Sequence, residues 1–414
     1  MATTKRRIIV ILTLILLLAT FAWYRQPAIV RTVGNVPTPT LYYGRLFNGT
    51  WDYQRDKDNL LLNQGECAQA FPALFDEIDR AKRDRQSRPI TLKEIDSITP
   101  RNGYIRAMIY DQQLYVIATE GHIYSREIAT LHSLHRALIS SPEKVPNIEF
   151  AFNSDDRIES VALWGYARQE EDTNIWLIPD FGYWSWPETK AGSMKEVVMK
   201  AEWAEEAGAL SWPKKVQKVL WRGATMGLEL REKLIEVASS QPWADVKALN
   251  WKDHESMTSD LKSMSEHCEY KYLAHTEGNS YSGRLKYLQS CRSVIVAHEM
   301  AWIQHQHPLM RSSGPDQNFV TVKRDFSDLQ DKIKWLQTHD EDAQRIANNN
   351  VKTFREHYLT EAAEVCYWRR LIEAWAEVSD FEPEFFKKEQ GKKVWRGLPV
   401  ETFLLERRLE WDPY

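Results

Sequence analysis

The chain of 414 residues has only four cysteines, and no two of them form a C-x-x-C pair. Zinc-knuckle and thioredoxin-like readings are therefore weak. An H-E-x-x-H pair is missing as well. His298-Glu299 with His305 and His307 has a different spacing and no evident fourth ligand, so no metal is expected to be required. There is no excess of positive charge. The formal charge of −4 gives no reason to expect nucleic acid. Internal repeats and low-complexity segments are absent, and a single N-x-S/T sequon occurs, at Asn48. What is present is ordinary for a globular protein: 43% hydrophobic and 27% charged residues, over a length that suits about two domains. Seventeen tryptophans and seventeen tyrosines are a heavy aromatic load. Such rings build cores and also make flat faces on which sugars stack.

The amino end reads as a membrane anchor. Lys5, Arg6 and Arg7 close a short tail, residues 1–7, and an apolar run follows from Ile8 to Tyr24. At 1.5 Å per residue that run spans roughly 25 Å, near the lower limit for a membrane helix. Thr20-Phe21-Ala22 is a poor match to the small-residue pattern of a cleaved signal peptide, so a retained signal anchor is expected. The basic flank places the tail in the cytosol and the rest in the lumen, as a single-pass type II protein. The chain ends in Trp411-Asp412-Pro413-Tyr414, not in a KDEL-type signal, which favours the Golgi over soluble ER residence. Residues 25–60 show no sustained periodicity and read as a stem, carrying the sequon at Asn48. In the lumen Cys67, Cys268, Cys291 and Cys366 meet an oxidising environment, and three pairings are open to them.

Beyond the stem, the pattern predicts an amphipathic helix from Glu66 to Arg85, paired strands between Ile105 and Ile128, and a helix over REIATLHSLHRALIS. IEFAFNSDD reads as a buried strand ending in polar residues, and VALWGYAR and IWLIPDF read as further strands. Over residues 215 to 360, strands alternate with helices, which argues for a parallel α/β sheet. Two such units facing each other across a cleft suit a two-domain transferase.

Residues 267–293, HCEYKYLAHTEGNSYSGRLKYLQSCRS, carry the most chemistry. A polar loop from Thr276 to Gly283 leads into a helix-like segment with Arg284 in its first turn. Backbone N–H groups beside an arginine suit a phosphate or diphosphate, and Asn279, Ser280 and Ser282 are candidate caps. Cys268 and Cys291 bracket the loop.

That run, with HEMAWIQHQHPL after it, resembles the CAP10-like glycosyltransferases, a family of fungal capsule-associated xylosyltransferases and animal protein O-glucosyltransferases. VLWRGAT resembles the family's F/W-R-G element, and NIEFAFNSDD its apolar strand ending in N-x-x-D. FVTVKRDFSDLQDKIKWLQTHDEDAQRIANNNVKTFREHYL resembles its C-terminal block. The likeness spans roughly Cys67 to Trp368. It implies an α/β, GT-B-like fold of two Rossmann-like domains facing a cleft: an acceptor-side domain over 61–210 and a UDP-sugar domain over 211–368, with a helical extension over 369–414.

It further implies an inverting transfer of xylose or glucose from UDP-xylose or UDP-glucose to a lumenal glycan or glycoprotein, with no metal or other cofactor. Asp156 falls at the family's catalytic aspartate, the base that takes the acceptor proton. Arg222 and Arg284 match its donor-binding arginines, Gly278 and Ser282 let the backbone approach the donor, and Glu299 is a further donor contact. Trp184 and Trp186 are candidates for an acceptor wall. The resemblance also implies two disulfides, Cys268 with Cys291 and Cys67 with Cys366. Glu277 stands where many relatives have Asp, which puts the packing of the loop in question. Two other readings stay open: a catalytically inactive, glycan-binding relative, and a manganese-dependent GT-A enzyme using Asp340-Glu341-Asp342. In the second, the acidic residues open a helical segment, where they complement its dipole.

Overall fold

The computed structural model describes residues 47–407, apart from 190 and 251–259. The expected tail, the membrane span, most of the stem and residues 408–414 lie outside the described residues. Among the described residues no helix is long and apolar enough to cross a membrane.

Helix α1 (Gln64–Ala70) and helix α2 (Asp76–Arg85) replace the single helix predicted from Glu66 to Arg85. Proline lacks the N–H that a continuing helix needs, and Pro72 falls just after Phe71 closes α1. Strands β1 (Tyr104–Tyr110) and β2 (Gln113–Glu120) form an antiparallel hairpin, and helix α3 (Ser125–Ile139) returns to β3 (Ile148–Asn153). With β4 (Leu163–Gly165) and β5 (Ile175–Leu177), and β13 (Leu398–Pro399) at the far edge, they make a six-stranded sheet in the order β13-β2-β1-β3-β4-β5. Pairing is parallel only among β3, β4 and β5. The first sheet is therefore mixed.

The second sheet is fully parallel. Its strands are β6 (Val216–Gly223), β7 (Ala244–Ala248), β8 (Tyr270–His275), β9 (Val294–His298) and β10 (Phe319–Val322), in the order β10-β9-β8-β6-β7. Successive side chains alternate between two buried layers. Val219, Trp221, Tyr272, Ala274, Val294 and Val296 face helices α5 (Glu229–Ala238), α7 (Leu329–Thr338) and α8 (Asp340–Thr353). Leu220, Leu273, Ile295 and Ala297 face helix α4 (Met194–Glu206) and the short helix α6 (Leu285–Gln289). A sheet covered on both faces reads as a nearly continuous apolar run, which is what SVIVA and FVTV display. The order reverses between β6 and β8, and in open parallel sheets ligands bind beyond the strand ends at such a switch point.

Helix α9 (Glu361–Glu377) goes back to the first sheet, so a boundary at residue 368 cuts through it. Trp368 and Trp375 pack around Trp164 of β4, and Trp375 Nε1 donates to the Glu149 carbonyl 3.1 Å away. Cys366 on α9 is bonded to Cys67 on α1, 299 residues earlier, and Cys268 is bonded to Cys291. Each disulfide closes a loop and so restricts the unfolded chain.

Two segments depart from expectation. Residues 47–60 belong to the folded body. Trp51 packs on Phe71 and stacks on His357, with centroids 4.8 and 5.1 Å away, and the Tyr53 hydroxyl donates to Glu202 at 2.6 Å. Aromatic anchors spaced too sparsely to show a period gave no helix or strand signal there. Residues 369–407 are not all helix either. Strands β11 (Phe386–Glu389) and β12 (Lys392–Trp395) form a hairpin turned by Gln390 and Gly391, both left-handed at φ +49° and +78°.

Candidate active site

A cleft lies where the end of β3 meets the ends of β6 and β8. Its inner chamber, about 190 Å³, is bordered by Asp156, Trp186, Arg222, Gly278, Ser282 and Arg284. An outer chamber of about 440 Å³ shares Arg126, Trp186 and Thr189 with it. Six of the residues singled out from the sequence thus border one space, although they come from segments more than a hundred residues apart.

Asp156 sits three residues past β3. Asn153 Oδ1 accepts from Asp155 N and Asp155 Oδ1 from Asp156 N, each at 2.7 Å, which turns the chain so that the Asp156 carboxylate enters the cleft. Arg126 Nη1 donates to Asp156 Oδ1 at 3.0 Å and Asn279 Nδ2 to Oδ2 at 3.2 Å. A carboxylate has about four lone-pair sites, so roughly two stay open for an incoming hydroxyl. Asn279 also receives Arg157 Nε on its carbonyl at 2.7 Å, clasping the β3 loop to the β8 loop.

The two predicted arginines differ in how they are held. Arg222 is buried and largely occupied: Nε donates to the Asp260 carbonyl, Nη1 to the carbonyls of Trp221 and Asp245, and Nη2 to Asp245 Oδ1 at 2.6 Å. It braces the β6–β7 edge and leaves one N–H over. The Arg284 guanidinium has no hydrogen bond or ion pair among the described residues. Its guanidinium lies over the Trp221 ring, 5.7 Å from the centroid. Burial, and then the like charge of Arg231, push its pKa down to about 9. Arg231 donates to the carbonyls of Glu277 and Ala224, and burial lowers its pKa too. A cation held this way is poised for an anion.

Helix α6 has only five residues, and no side chain caps it. The expected caps Asn279, Ser280 and Ser282 do other things or nothing resolved, so the positive character of the site comes from side chains more than from a helix end. Gly278, on the wall of the inner chamber, is also pressed by a neighbour. A Cβ there would lie 3.1 Å from Arg231 Nη2, so the glycine makes room for that guanidinium. Glu277 is buried, accepting from the N–H groups of Ala301 and Trp302 at 2.8 and 2.7 Å and from Arg324 at 2.8 Å, so this carboxylate ties the loop to the turn after β9.

Glu299 and Trp184 do not border the inner chamber. Glu299 is exposed just past β9. Trp184 stacks on His132 at 4.9 Å, with the Arg136 guanidinium 5.1 Å from its ring centroid, in the packing around α3. Asn48 is exposed, as a glycan acceptor must be. Asp340 opens α8 and accepts from Trp212 Nε1 at 3.0 Å and Lys271 Nζ at 2.6 Å. Among the described residues no group of three or more His, Cys, Asp or Glu is placed to hold a metal ion.

The sequence profile described as Glycosyl transferase family 90 matches residues 64–396. This chain belongs to that family. Its family 90 sequence is similar to protein O-glucosyltransferase 2 of Danio rerio, 26% identical over 297 residues, covering 67% of this chain and 56% of the relative. Protein O-glucosyltransferase 1 of Homo sapiens is 23% identical over 249 residues, 55% of this chain and 62% of the relative. The O-glucosyltransferase rumi homolog of Aedes aegypti is 25% identical over 256 residues, 58% of each. The family 90 chain thus spans little more than half the length of the curated relatives it matches.

Several family 90 cleft residues escaped the sequence reading: Arg126, Arg231, Lys262 and Tyr281. Arg126 looked like one charge among many on an amphipathic helix. Only the β2–α3–β3 path brings the first turn of α3 beside the end of β3. Tyr281 lay in the loop but carried no charge to mark it.

Buried histidines set an expected acid response. Burial holds His267 at about 4, His305 at about 3 and His307 at about 4, and drives His275 well below the usual range. An unfolded histidine takes up its proton near 6.5, so between about pH 6.5 and 4 the unfolded state binds more protons and stability falls as pH falls. Each such site adds a slope of up to about 1.4 kcal/mol per pH unit. Glu364 and Glu373, raised by burial, work in the opposite sense but number two, against these four histidines and His132, His298 and His357, which burial also lowers. The melting temperature is expected to drop steeply across this window, and His305→Gln to flatten the drop. A melting temperature constant from pH 6.5 to 4.5 would contradict the assignment.

Proposed function

We propose that this chain is an inverting glycosyltransferase that moves glucose or xylose from a UDP-sugar to a hydroxyl of a glycan or protein, with Asp156 as the base. The observation that carries the reading is that an arginine with no anion among the described residues, Arg284, and an aspartate that keeps open lone pairs, Asp156, border one cleft. Asp156 takes the acceptor hydroxyl proton as the acceptor oxygen bonds to the sugar's C1. The bond from C1 to the phosphate oxygen breaks, and its electron pair leaves with UDP. Arg284, supported by Arg231 and Lys262, neutralises the diphosphate as charge builds on it, a task that needs no metal ion. The position at the switch point of a doubly wound sheet supports a nucleotide donor, and with the first sheet opposite it the arrangement is GT-B-like. The names of the relatives support glucose as the sugar and a protein as one class of acceptor.

The two disulfides suit an oxidising compartment. With residues 8–24 as anchor, the chain is read as a type II protein of the Golgi or ER membrane with its cleft in the lumen.

The test is UDP release by the full chain in detergent, from UDP-glucose, UDP-xylose and other UDP-sugars, with EDTA present. Turnover of one donor supports the reading and names the sugar. Turnover that requires manganese overturns the metal-free chemistry. Failure to bind UDP at all overturns the transferase.

A further inference from the structure

The outer chamber is larger than the inner one, and its walls differ in chemistry. Tyr124, 52% exposed, and Trp186 supply aromatic faces, while Asp155 and Glu188 supply carboxylates. Its volume of about 440 Å³ falls in the range of roughly 300–1,000 Å³ found for sites that enclose small molecules. Trp186 is held by an edge-to-face contact with Phe181, centroids 5.4 Å apart, and by the bare face of Gly283, where a Cβ would lie 3.3 Å from the ring. Ser125 at the start of α3 donates to Glu188 Oε1, which fixes that carboxylate at the rim and leaves Oε2 open among the described residues. Asp155 uses Oδ1 on the Asp156 N–H.

Arg126 is the only cation among the lining residues, and its Nη1 donates to Asp156 Oδ1 and to the Ser154 carbonyl. With three carboxylates, Glu127, Asp155 and Glu188, against one arginine, the wall is net acidic and repels phosphate, sulfate or uronate groups. It accepts hydrogen bonds from O–H donors, and the two rings offer apolar faces to the C–H side of a sugar. The chamber shares Arg126, Trp186 and Thr189 with the inner one, which Asp156 borders, so a molecule seated there has a path for one hydroxyl toward that carboxylate.

We propose that the acceptor is a neutral oligosaccharide, seated in this outer chamber against Tyr124 and Trp186, with Asp155 and Glu188 receiving hydrogen bonds from its hydroxyls. The inference rests on the transferase reading above and narrows its acceptor. A folded protein presenting a serine or threonine loop is the competing occupant.

The experiment uses the full chain with the donor found active in the release assay. Neutral hexose oligosaccharides, uronate-containing oligosaccharides and folded serine-bearing protein domains are compared as acceptors. Neutral oligosaccharides are expected to raise UDP release at least about tenfold over donor alone, and uronate-containing ones to raise it less. Tyr124→Ala and Glu188→Ala are each expected to raise the oligosaccharide KM about tenfold without a matching change in donor KM. Both side chains are exposed, so an unchanged melting temperature separates this effect from misfolding. Stimulation by folded protein alone overturns the proposal, as does an oligosaccharide KM that neither substitution moves. Donor-only release that no oligosaccharide stimulates overturns it while leaving the transferase standing, whereas no UDP binding removes the transferase itself.

Discussion

Asp156→Asn is expected to lower acceptor-dependent turnover by about 10²–10⁴-fold, the range for loss of a positioned general base, while UDP still binds. An amide in place of the carboxylate keeps the size and can still accept from Arg126 or Asn279, but it takes no proton at neutral pH. The contacts explain why the position can serve as a base at all. Arg126 and Asn279 each satisfy one oxygen of the carboxylate, which holds it in place without consuming every lone pair. A purely structural Asp156, there only to clasp Arg126 to the β8 loop, makes a different prediction. The variant would then lose stability and UDP affinity together. Measuring kcat, UDP affinity and melting temperature in both proteins distinguishes the two: loss of turnover with UDP affinity and melting temperature retained supports the base.

Arg284→Met is expected to lower kcat/KM by about 10²–10³-fold, the usual cost of removing one donor aimed at developing charge, and to weaken UDP binding in parallel. Its effect on the empty protein has the opposite sign. Arg284 is a cation with no counter-ion among the described residues, disfavoured by burial and by Arg231. Replacing it with an apolar side chain of similar length removes an uncompensated charge, so the melting temperature without ligand should stay level or rise. A ligand present at a hundred times its dissociation constant stabilises by about 2.7 kcal/mol. UDP should therefore raise the melting temperature of the parent and do little for the variant. A variant that melts lower and still responds to UDP would show Arg284 to be a packing residue, and the donor site would have to be sought elsewhere.

The cleft's rigidity has a visible source. Lys286, on α6, is fully enclosed and pairs with Asp180 at 2.7 Å, while Asp180 also accepts from Gly182 N. That buried pair joins the turn after β5 to the helix that follows the β8 loop, and Tyr287 adds a bond to the Gly182 carbonyl at 2.7 Å. The glycines of the loop are placed by what presses on them. Gly278 yields to Arg231 and Gly283 to Trp186.

Much of this was legible in the chain itself. Apolar runs such as SVIVA and FVTV, each between polar turns, marked strands buried on both faces, and the W-R-G and T-E-G-N-S-Y-S-G segments marked where those strands end. The order of motifs pointed to one family, whose profile covers most of the chain. These features are local: periodicity records which face of an element is buried, and a loop's residue types record what its backbone must do. The tertiary structure decided the rest. It committed Arg222 to Asp245 and left Arg284 without an anion. It set Glu299 and Trp184 outside the inner chamber and brought Arg126 and Arg231 into it. Arg126 and Asp156 are 30 residues apart, and Asp156 and Asn279 are 123 apart. No local pattern encodes such pairings, because they depend on how two sheets meet, which the packing of both cores determines together.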